Sequence, residues 1–355
     1  MMRAQLTRFA RRPWIWSFVA AAAVWAAMEG FTEGQGAGEV LTAALSFATF
    51  SVLVGLGQMF VVTLGPGNVD LSIPATMTLA GTIAMKYMDN QDPRIAAGIL
   101  LALAAGALVG AFNYGLIRAL RIPPIIATLS SSFLFLSAAI WYSRGLRIKP
   151  PPAFADFSIG EVLGLPYLTL GAILLSILLH IALNRTIYGR SVIAIGQNPR
   201  AARFSGIPVE LTRFATYVMC ATLAGFSGCL FSAFSGGAAL NMGAEYLLDS
   251  IAVVVIGGTS VAGGLANVPG IWGASLFLFL IVAMLNTYGF GAGIRMILTG
   301  LVIIAVIALA GGQKTLPMPN LATLTVEQAD ELVAALRSGQ QQLRVERALA
   351  FFDLL

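Results

Sequence analysis

The chain has 355 residues, of which 58% are hydrophobic and only 10% charged, far below the ~25% charged residues of soluble domains. That balance excludes a large soluble domain and indicates a polytopic membrane protein. The net charge of +5 resides in loop arginines and calls for no nucleic-acid partner, while a single histidine, His180, excludes a His-based metal centre or a catalytic triad.

Arg3, Arg8, Arg11 and Arg12 precede the first apolar run. This pattern suits a cleaved signal peptide or a retained signal-anchor, and the many later apolar segments favour the anchor. Ten segments are long enough to span, at ~20 residues each: 14–30, 41–64, 70–88, 94–118, 123–143, 164–184, 211–235, 247–264, 267–288 and 292–311. With the N-terminus inside, Glu29, Glu33 and Glu39 fall outside and Arg118 and Arg121 inside. The basic loop around Arg200 also falls inside, and Glu245 and Asp249 outside. This agrees with the retention of positive charge in the cytoplasm. Arg144, Arg147 and Lys149 in an outer loop are the exceptions. Both termini are thus expected in the cytoplasm. Cys220 and Cys229 stand nine apart in one apolar segment, on opposite helix faces, which argues against a disulfide between them.

Gly and Pro interrupt several segments. Gly65-Pro66-Gly67-Asn68-Val69-Asp70-Leu71-Ser72 divides the second from the third. Gly257-Gly258-Thr259-Ser260-Val261-Ala262-Gly263-Gly264 ends the eighth, and Pro269-Gly270 opens the ninth. Segments two to five and seven to ten run in opposite senses. This predicts an inverted repeat in which broken helices flank a transport path. The alternative is that glycines let helices pack closely, which Gly106-x-x-x-Gly110 and Gly289-x-x-x-Gly293 also suit.

Residues 185–213 form the longest polar interruption in the middle of the chain. Arg185, Arg190, Arg200, Arg203 and Arg213 stand there against one acid, Glu210. A short helix is written into this loop. Asn198 is a good N-cap, Pro199 fits the first helical position, and Gly206 with Pro208 ends the helix. Two turns are not stable alone, so the helix must lie against something. Ala201, Ala202 and Phe204 offer a small apolar surface rimmed by Arg200 and Arg203, for lipid phosphates or for a protein partner. Residues 312–355 read as a cytoplasmic tail of one or two amphipathic helices, with a capping box at Thr325 and Gln328. The membrane-embedded body is therefore residues 1–311.

Phosphate-loop chemistry is absent: Gly311-Gly312-Gln313-Lys314-Thr315 lacks the first glycine at the required spacing. Ionisable groups within the spans are few, whereas an ion-coupled carrier needs them as relays. Energy is therefore expected from outside the chain, through a docked partner, and no cofactor or metal is expected.

The loop Tyr188-Gly-Arg190…Ala194-Ile-Gly196-x-Asn198-x-x-Ala201-Ala202-Arg203-x-Ser205-Gly206-Ile207 resembles the cytoplasmic loop of ribose-type ABC importer permeases. Asp70-Leu71-Ser72, Pro123-Pro124-Ile125-Ile126-Ala127-Thr128-Leu129 and Gly257-Gly258-Thr259-Ser260 with Gly263-Gly264 match further marks of that family in order. Asn113 and Asn286 fall where it carries asparagines. The resemblance spans roughly residues 45–311. Pro66-Gly67-Asn68-Val69 departs from the family's Gly-Gly-Ile before the aspartate, and the tail extends beyond its core.

The resemblance implies an all-α, type II-like importer permease of about ten helices in a bacterial inner membrane. It implies a second permease subunit, identical or related, cytoplasmic ATP-hydrolysing subunits, and a periplasmic or surface-tethered solute-binding protein. Asn198, Arg200, Ala201, Ala202, Arg203 and Phe204 become the surface that couples to the ATPases, and the chain itself is no enzyme. Asp70, Ser72, Asn113, Thr128 and Asn286 become transport-pathway candidates for a sugar or sugar-like solute, each open to a packing or capping role instead. The remaining readings are a nucleoside or amino-acid substrate, and a stand-alone secondary carrier.

Overall fold

A long apolar stretch early in the chain folds as one of its most deeply buried helices. In the computed structural model, which describes residues 13–31, 37–143 and 149–310, α1 (Pro13–Phe31) leads into α2 (Ala37–Thr63). Val52, Val54, Leu56, Met59, Phe60 and Val61 of α2 are all fully buried. After an irregular stretch come α3 (Ile73–Met88), α4 (Ile95–Leu120) and α5 (Pro124–Ser143). A short α6 (Pro152–Ile159) precedes a two-stranded antiparallel hairpin, β1 (Glu161–Val162) with β2 (Leu165–Pro166). This hairpin is the described exception to an otherwise helical architecture. It turns through Leu163 and Gly164, both at positive φ (52° and 76°), as a tight hairpin of right-handed strands requires.

The second half begins with α7 (Tyr167–Arg185), α8 (Ile187–Gln197) and α9 (Pro199–Phe204). Then follow α10 (Val209–Phe234), α11 (Tyr246–Ile256), α12 (Val268–Thr287) and α13 (Ala292–Ala310). Arg3, Arg8, Arg11, Arg12, Glu33, Arg144, Arg147 and the tail 312–355 lie outside the described residues.

Among the described residues, six helices are long and apolar enough to cross a membrane: α2, α4, α5, α7, α10 and α12. Of the other expected segments, 70–88 and 247–264 give helices of only 16 and 11 residues. The segment 247–264 shows why. Its helical part, α11, has 11 residues, about 16 Å at 1.5 Å per residue, roughly half of a ~30 Å hydrocarbon layer. Gly258, Gly263 and Gly264, at φ of 82°, 88° and 74°, take the remaining apolar residues out of helix. Similarly, α3 has 16 residues because the Gly65–Ser72 stretch remains irregular until Ile73.

Burial divides the long helices into two sets. In the apolar stretches of α2, α10 and α12, 61% of residues are buried, against 33%, 22% and 28% for α4, α5 and α7. The first set forms the interior and the second leaves broad apolar faces for lipid or another subunit. Gly106 and Gly110 bring α4 against α10. A Cβ at Gly110 would stand 2.5 Å from the Tyr217 carbonyl oxygen and 2.6 Å from Val218 Cα, so these glycines do serve close packing. Gly289 and Gly293 do not: a Cβ at either would meet nothing within 4 Å. Gly289, at φ 75°, instead closes the end of α12, its N–H donating to the Asn286 carbonyl at 2.9 Å.

The two Gly-rich breaks meet each other. Gly264 N–H donates to the Thr63 carbonyl at 3.0 Å, and a Cβ at Gly263 would strike Gly65 Cα.

Candidate functional site

The geometry of α9 follows from its local sequence. Asn198 Oδ1 accepts from the backbone N–H groups of Arg200 (2.9 Å) and Ala201 (3.0 Å). Pro199 occupies the first turn, where its missing donor is harmless. At the other end Gly206, at φ 80°, lets Ile207 N–H return to the Ala202 carbonyl at 3.1 Å, the closure expected of a left-handed cap. The six helical residues divide by face. Ala202 is 4% exposed and packs into the core, whereas Phe204 is 93% exposed, and Ala201, Arg200 and Arg203 also face outward.

Behind α9, α8 is built into the protein. Val192 and Ile195 are fully buried. Tyr188 stacks on Phe60 with ring centroids 6.1 Å apart, and its hydroxyl is 2.9 Å from Thr216 Oγ1. Burial pushes the Tyr188 phenol up to about 12, so it stays protonated, and either hydroxyl can donate in that pair. Two residues before the cap, Gly196 packs against both breaks: a Cβ there would strike the Thr63 carbonyl oxygen and Gly264 N. The α8–α9 corner thus touches the start of the break after α2 and the end of the break before α12. Only a glycine permits that approach.

Glu210, at the start of α10, ties this corner to α4. Its Oε1 pairs with Arg203 Nη2 at 3.0 Å and its Oε2 with Arg118 Nη1 at 2.6 Å. Tyr114 Oη donates to Oε2 at 2.6 Å. One carboxylate therefore joins α9, α4 and α10. Sequence reading missed its role, although a lone acid among five arginines was the available signal. Beside it lies a cavity of about 440 Å³ whose wall includes Asn68, Tyr114, Arg118, Arg121, Glu210 and Arg213.

Four of the five pathway candidates come together, in a second and buried cluster. Asp70, Ser72, Asn113 and Thr128 are each at most 1% exposed. Asp70 Oδ1 accepts from Ser72 N–H (2.9 Å) and Ser72 Oγ (2.6 Å). Asn113 Nδ2 donates to Ser72 Oγ at 2.7 Å and its Oδ1 accepts from Ser131 Oγ. Thr128 Oγ1 accepts from Leu71 N–H at 3.0 Å. Gln58 Oε1, on α2, accepts from Asp70 N–H at 3.1 Å; Gln58 and Ser131 were not foreseen. Ser72 precedes α3 without its side chain capping the helix; the Asp70 carboxylate takes the Ser72 N–H instead. The Cys220 thiol stands against the Asp70 carboxyl. Cys220 lies about 16 Å along α10 by helical rise, so the cluster is deep within the bundle. Asn286 is elsewhere, exposed near the end of α12.

Among the described residues, no group of three His, Cys, Asp or Glu side chains could hold a metal ion.

Residues 40–307 match the family described as "Branched-chain amino acid transport system / permease component". The chain is 31% identical over 248 residues to the autoinducer 2 import system permease protein LsrD of Escherichia coli O9:H4 (strain HS), covering 68% of this chain and 75% of that protein. LsrD of Shigella flexneri gives the same figures. The autoinducer 2 import system permease protein LsrC of Enterobacter sp. (strain 638) is 31% identical over 271 residues, 76% of this chain and 79% of that protein. No solved structure matches the chain.

Proposed function

Because this chain belongs to the branched-chain amino acid transport system / permease component family, and is thereby a non-catalytic transport subunit, we propose that it forms the membrane path of an ATP-driven, binding-protein-dependent importer for a sugar-like solute. It is a multi-pass membrane protein, and permeases of this kind act with ATP-hydrolysing and solute-binding partners. The sugar-like class is supported by the relatives that import autoinducer 2. The family's own description favours an amino acid as the second reading.

The observation that carries the proposal is the α8–α9 corner. A capped six-residue helix presents Phe204, Arg200 and Ala201 outward, while Ala202 packs into the core and Gly196 seats the corner on the two breaks. A docking subunit that grips Phe204 would move the helix breaks directly. In this reading Asn198, Arg200, Ala201, Arg203 and Phe204 make or shape the ATPase contact, and Ala202 transmits it inward. Asp70, Ser72, Asn113 and Thr128 hold α3, α4 and α5 in register beside the path, with Asp70 Oδ2 the oxygen of the cluster left without a hydrogen bond. Asn286 has no role in that cluster.

The finer architecture is part of the same proposal. Ten membrane segments are arranged as two inverted halves, α2–α5 and α10–α13, with both termini in the cytoplasm and the α8–α9 corner on that side. The short members α3 and α11 complete their crossings through the irregular stretches before them, and two permeases pair through the lightly buried α4, α5 and α7. Residues 312–355 form a separate cytoplasmic tail.

The test is co-purification of the tagged protein from gently solubilised membranes, followed by uptake in proteoliposomes rebuilt with the recovered partners. A stoichiometric ATPase chain and ATP-dependent uptake are expected. Uptake by this chain alone, driven by an ion gradient, would replace the proposal with a secondary carrier.

A further inference from the structure

We propose that the cavity bounded by Arg118, Arg121 and Arg213 is a binding site for a phosphate-class anion, supplied by a phospholipid headgroup or by a free phosphate or phosphate ester.

The cavity lies between the C-terminal end of α4, the first turns of α10 and the start of the break after α2. Its wall carries three guanidinium groups and one carboxylate, Glu210, a surplus of two positive charges (three minus one). Glu210 cannot balance them, because its two oxygens are already shared among Arg118, Arg203 and Tyr114. Arg121 and Arg213 form no ion pair with an acid among the described residues. Arg213 Nε is buried and donates no hydrogen bond. A buried N–H without an acceptor is uncommon, and an ion in the adjoining space is one of its ordinary explanations.

The chemistry of the wall selects the ligand. Guanidinium forks match the oxygens of a phosphate better than they match a point charge or a neutral sugar. At about 440 Å³ the space falls within the range of small-molecule sites and exceeds what inorganic phosphate fills, so an ester or a headgroup fits. Positive-inside charge alone would scatter arginines over the surface; here they converge on one concavity.

Occupancy would also reach α9. Arg118 in the wall and Arg203 in α9 share the Glu210 carboxylate, so an anion that draws Arg118 away would leave Glu210 to Arg203 and Tyr114. Access for cytoplasmic anions rests on the orientation proposed above, whereas binding itself does not. The test therefore uses isolated permease in nanodiscs, where both faces are open and no ATPase is needed.

Thermal unfolding would be followed in phosphatidylcholine nanodiscs, with inorganic phosphate against chloride at equal ionic strength. Phosphate is expected to raise Tm saturably, since a ligand that binds only the folded state stabilises it by mass action. Arg121→Gln and Arg213→Gln should each blunt the rise, and Arg185→Gln, outside the cavity, should keep it. Should one cavity variant fail to fold, the other still reads the site against Arg185→Gln. Discs containing phosphatidylglycerol separate the sources. A Tm already raised there, with no further effect of phosphate, assigns the site to a headgroup; a phosphate response unchanged by the lipid assigns it to free phosphate or its esters. No response to phosphate or to phosphatidylglycerol would overturn the site. An equal loss in Arg185→Gln would overturn it too, as general charge screening.

Discussion

The Asp70 cluster and the Glu210 hub both join several helices through one carboxylate, but they do so in opposite media. Asp70 is 1% exposed and its partners are hydroxyls and amides. Glu210 is 40% exposed at its side chain and its partners are arginines, themselves 61% and 68% exposed. In the buried cluster each broken bond leaves a group with no water to replace its partner, at about 1–3 kcal/mol per group. At the hub water and ions substitute readily, and an exposed ion pair is worth about 0–1 kcal/mol. The first can fix helix positions; the second can be made and unmade within a transport cycle. That division suits the proposed mechanism, in which the interior keeps its register while the α8–α9 corner responds to a partner.

The largest effect on folding is expected from Asp70→Leu. It removes the acceptor of the Ser72 N–H and Oγ and leaves Asn113 attached to an unanchored hydroxyl. A loss of about 3 kcal/mol or more follows from two orphaned groups, read as a lower unfolding midpoint of the purified protein. A variant as stable as the wild type would mean that the cluster does not hold the helices, and the contrast with Glu210 would collapse.

Gly196→Ala should come next. Its Cβ would overlap the Thr63 carbonyl and Gly264 N, so the corner must separate from the breaks by a fraction of an ångström or more. Overpacking of this kind costs about 1–3 kcal/mol. Its particular mark is functional: ATPase subunits should still co-purify, while uptake per ATP hydrolysed falls. Retained coupling would show that the glycine contact is packing alone.

How much of this was legible in the sequence depends on how local each feature is. The cap of α9 was readable because Asn198, Pro199 and Gly206 act on backbone within four residues of themselves. The helical character of the apolar runs was readable for the same reason. Hydropathy cannot distinguish apolar helix from apolar irregular chain, and so the 247–264 segment was expected longer than the 11-residue α11. Gly289-x-x-x-Gly293 had the spacing of a packing face, but Gly289 is a helix end. Asp70, Ser72, Asn113 and Thr128 were singled out through family motifs, which carry no distances. Their closure into one network depends on contacts up to 59 residues apart in sequence. Glu210 was visible as an unmatched acid, yet its partner Tyr114 lies 96 residues away, and no local pattern announces such a pair.

Glu210→Gln tests the exposed side of the comparison. Stability should change by less than about 1 kcal/mol, because the arginines are solvated. The link between α9 and α4 should nonetheless weaken, lowering coupled uptake. Raised salt should reproduce this in the wild type, since exposed pairs are screened over ~8 Å at physiological ionic strength, and should add little in the variant. Salt that affects both proteins equally would place its action elsewhere.

Phe204→Ala should have the smallest effect on the isolated protein and a large one on the assembly. At 93% exposure the ring contributes almost nothing to the core, so the unfolding midpoint should remain within the scatter of surface substitutions, about ±0.5 kcal/mol. An exposed aromatic on a helix seated by Ala202 has another use: it can enter a pocket of a partner, and a central aromatic anchor of this kind is worth about 2 kcal/mol or more in binding. That corresponds to roughly thirtyfold weaker ATPase association, at 1.4 kcal/mol per factor of ten. Titrating purified ATPase subunit onto the permease in nanodiscs reads this directly. Wild-type affinity in the variant would return α9 to the role of a lipid-surface helix, because Phe204 would then face headgroups and not a protein.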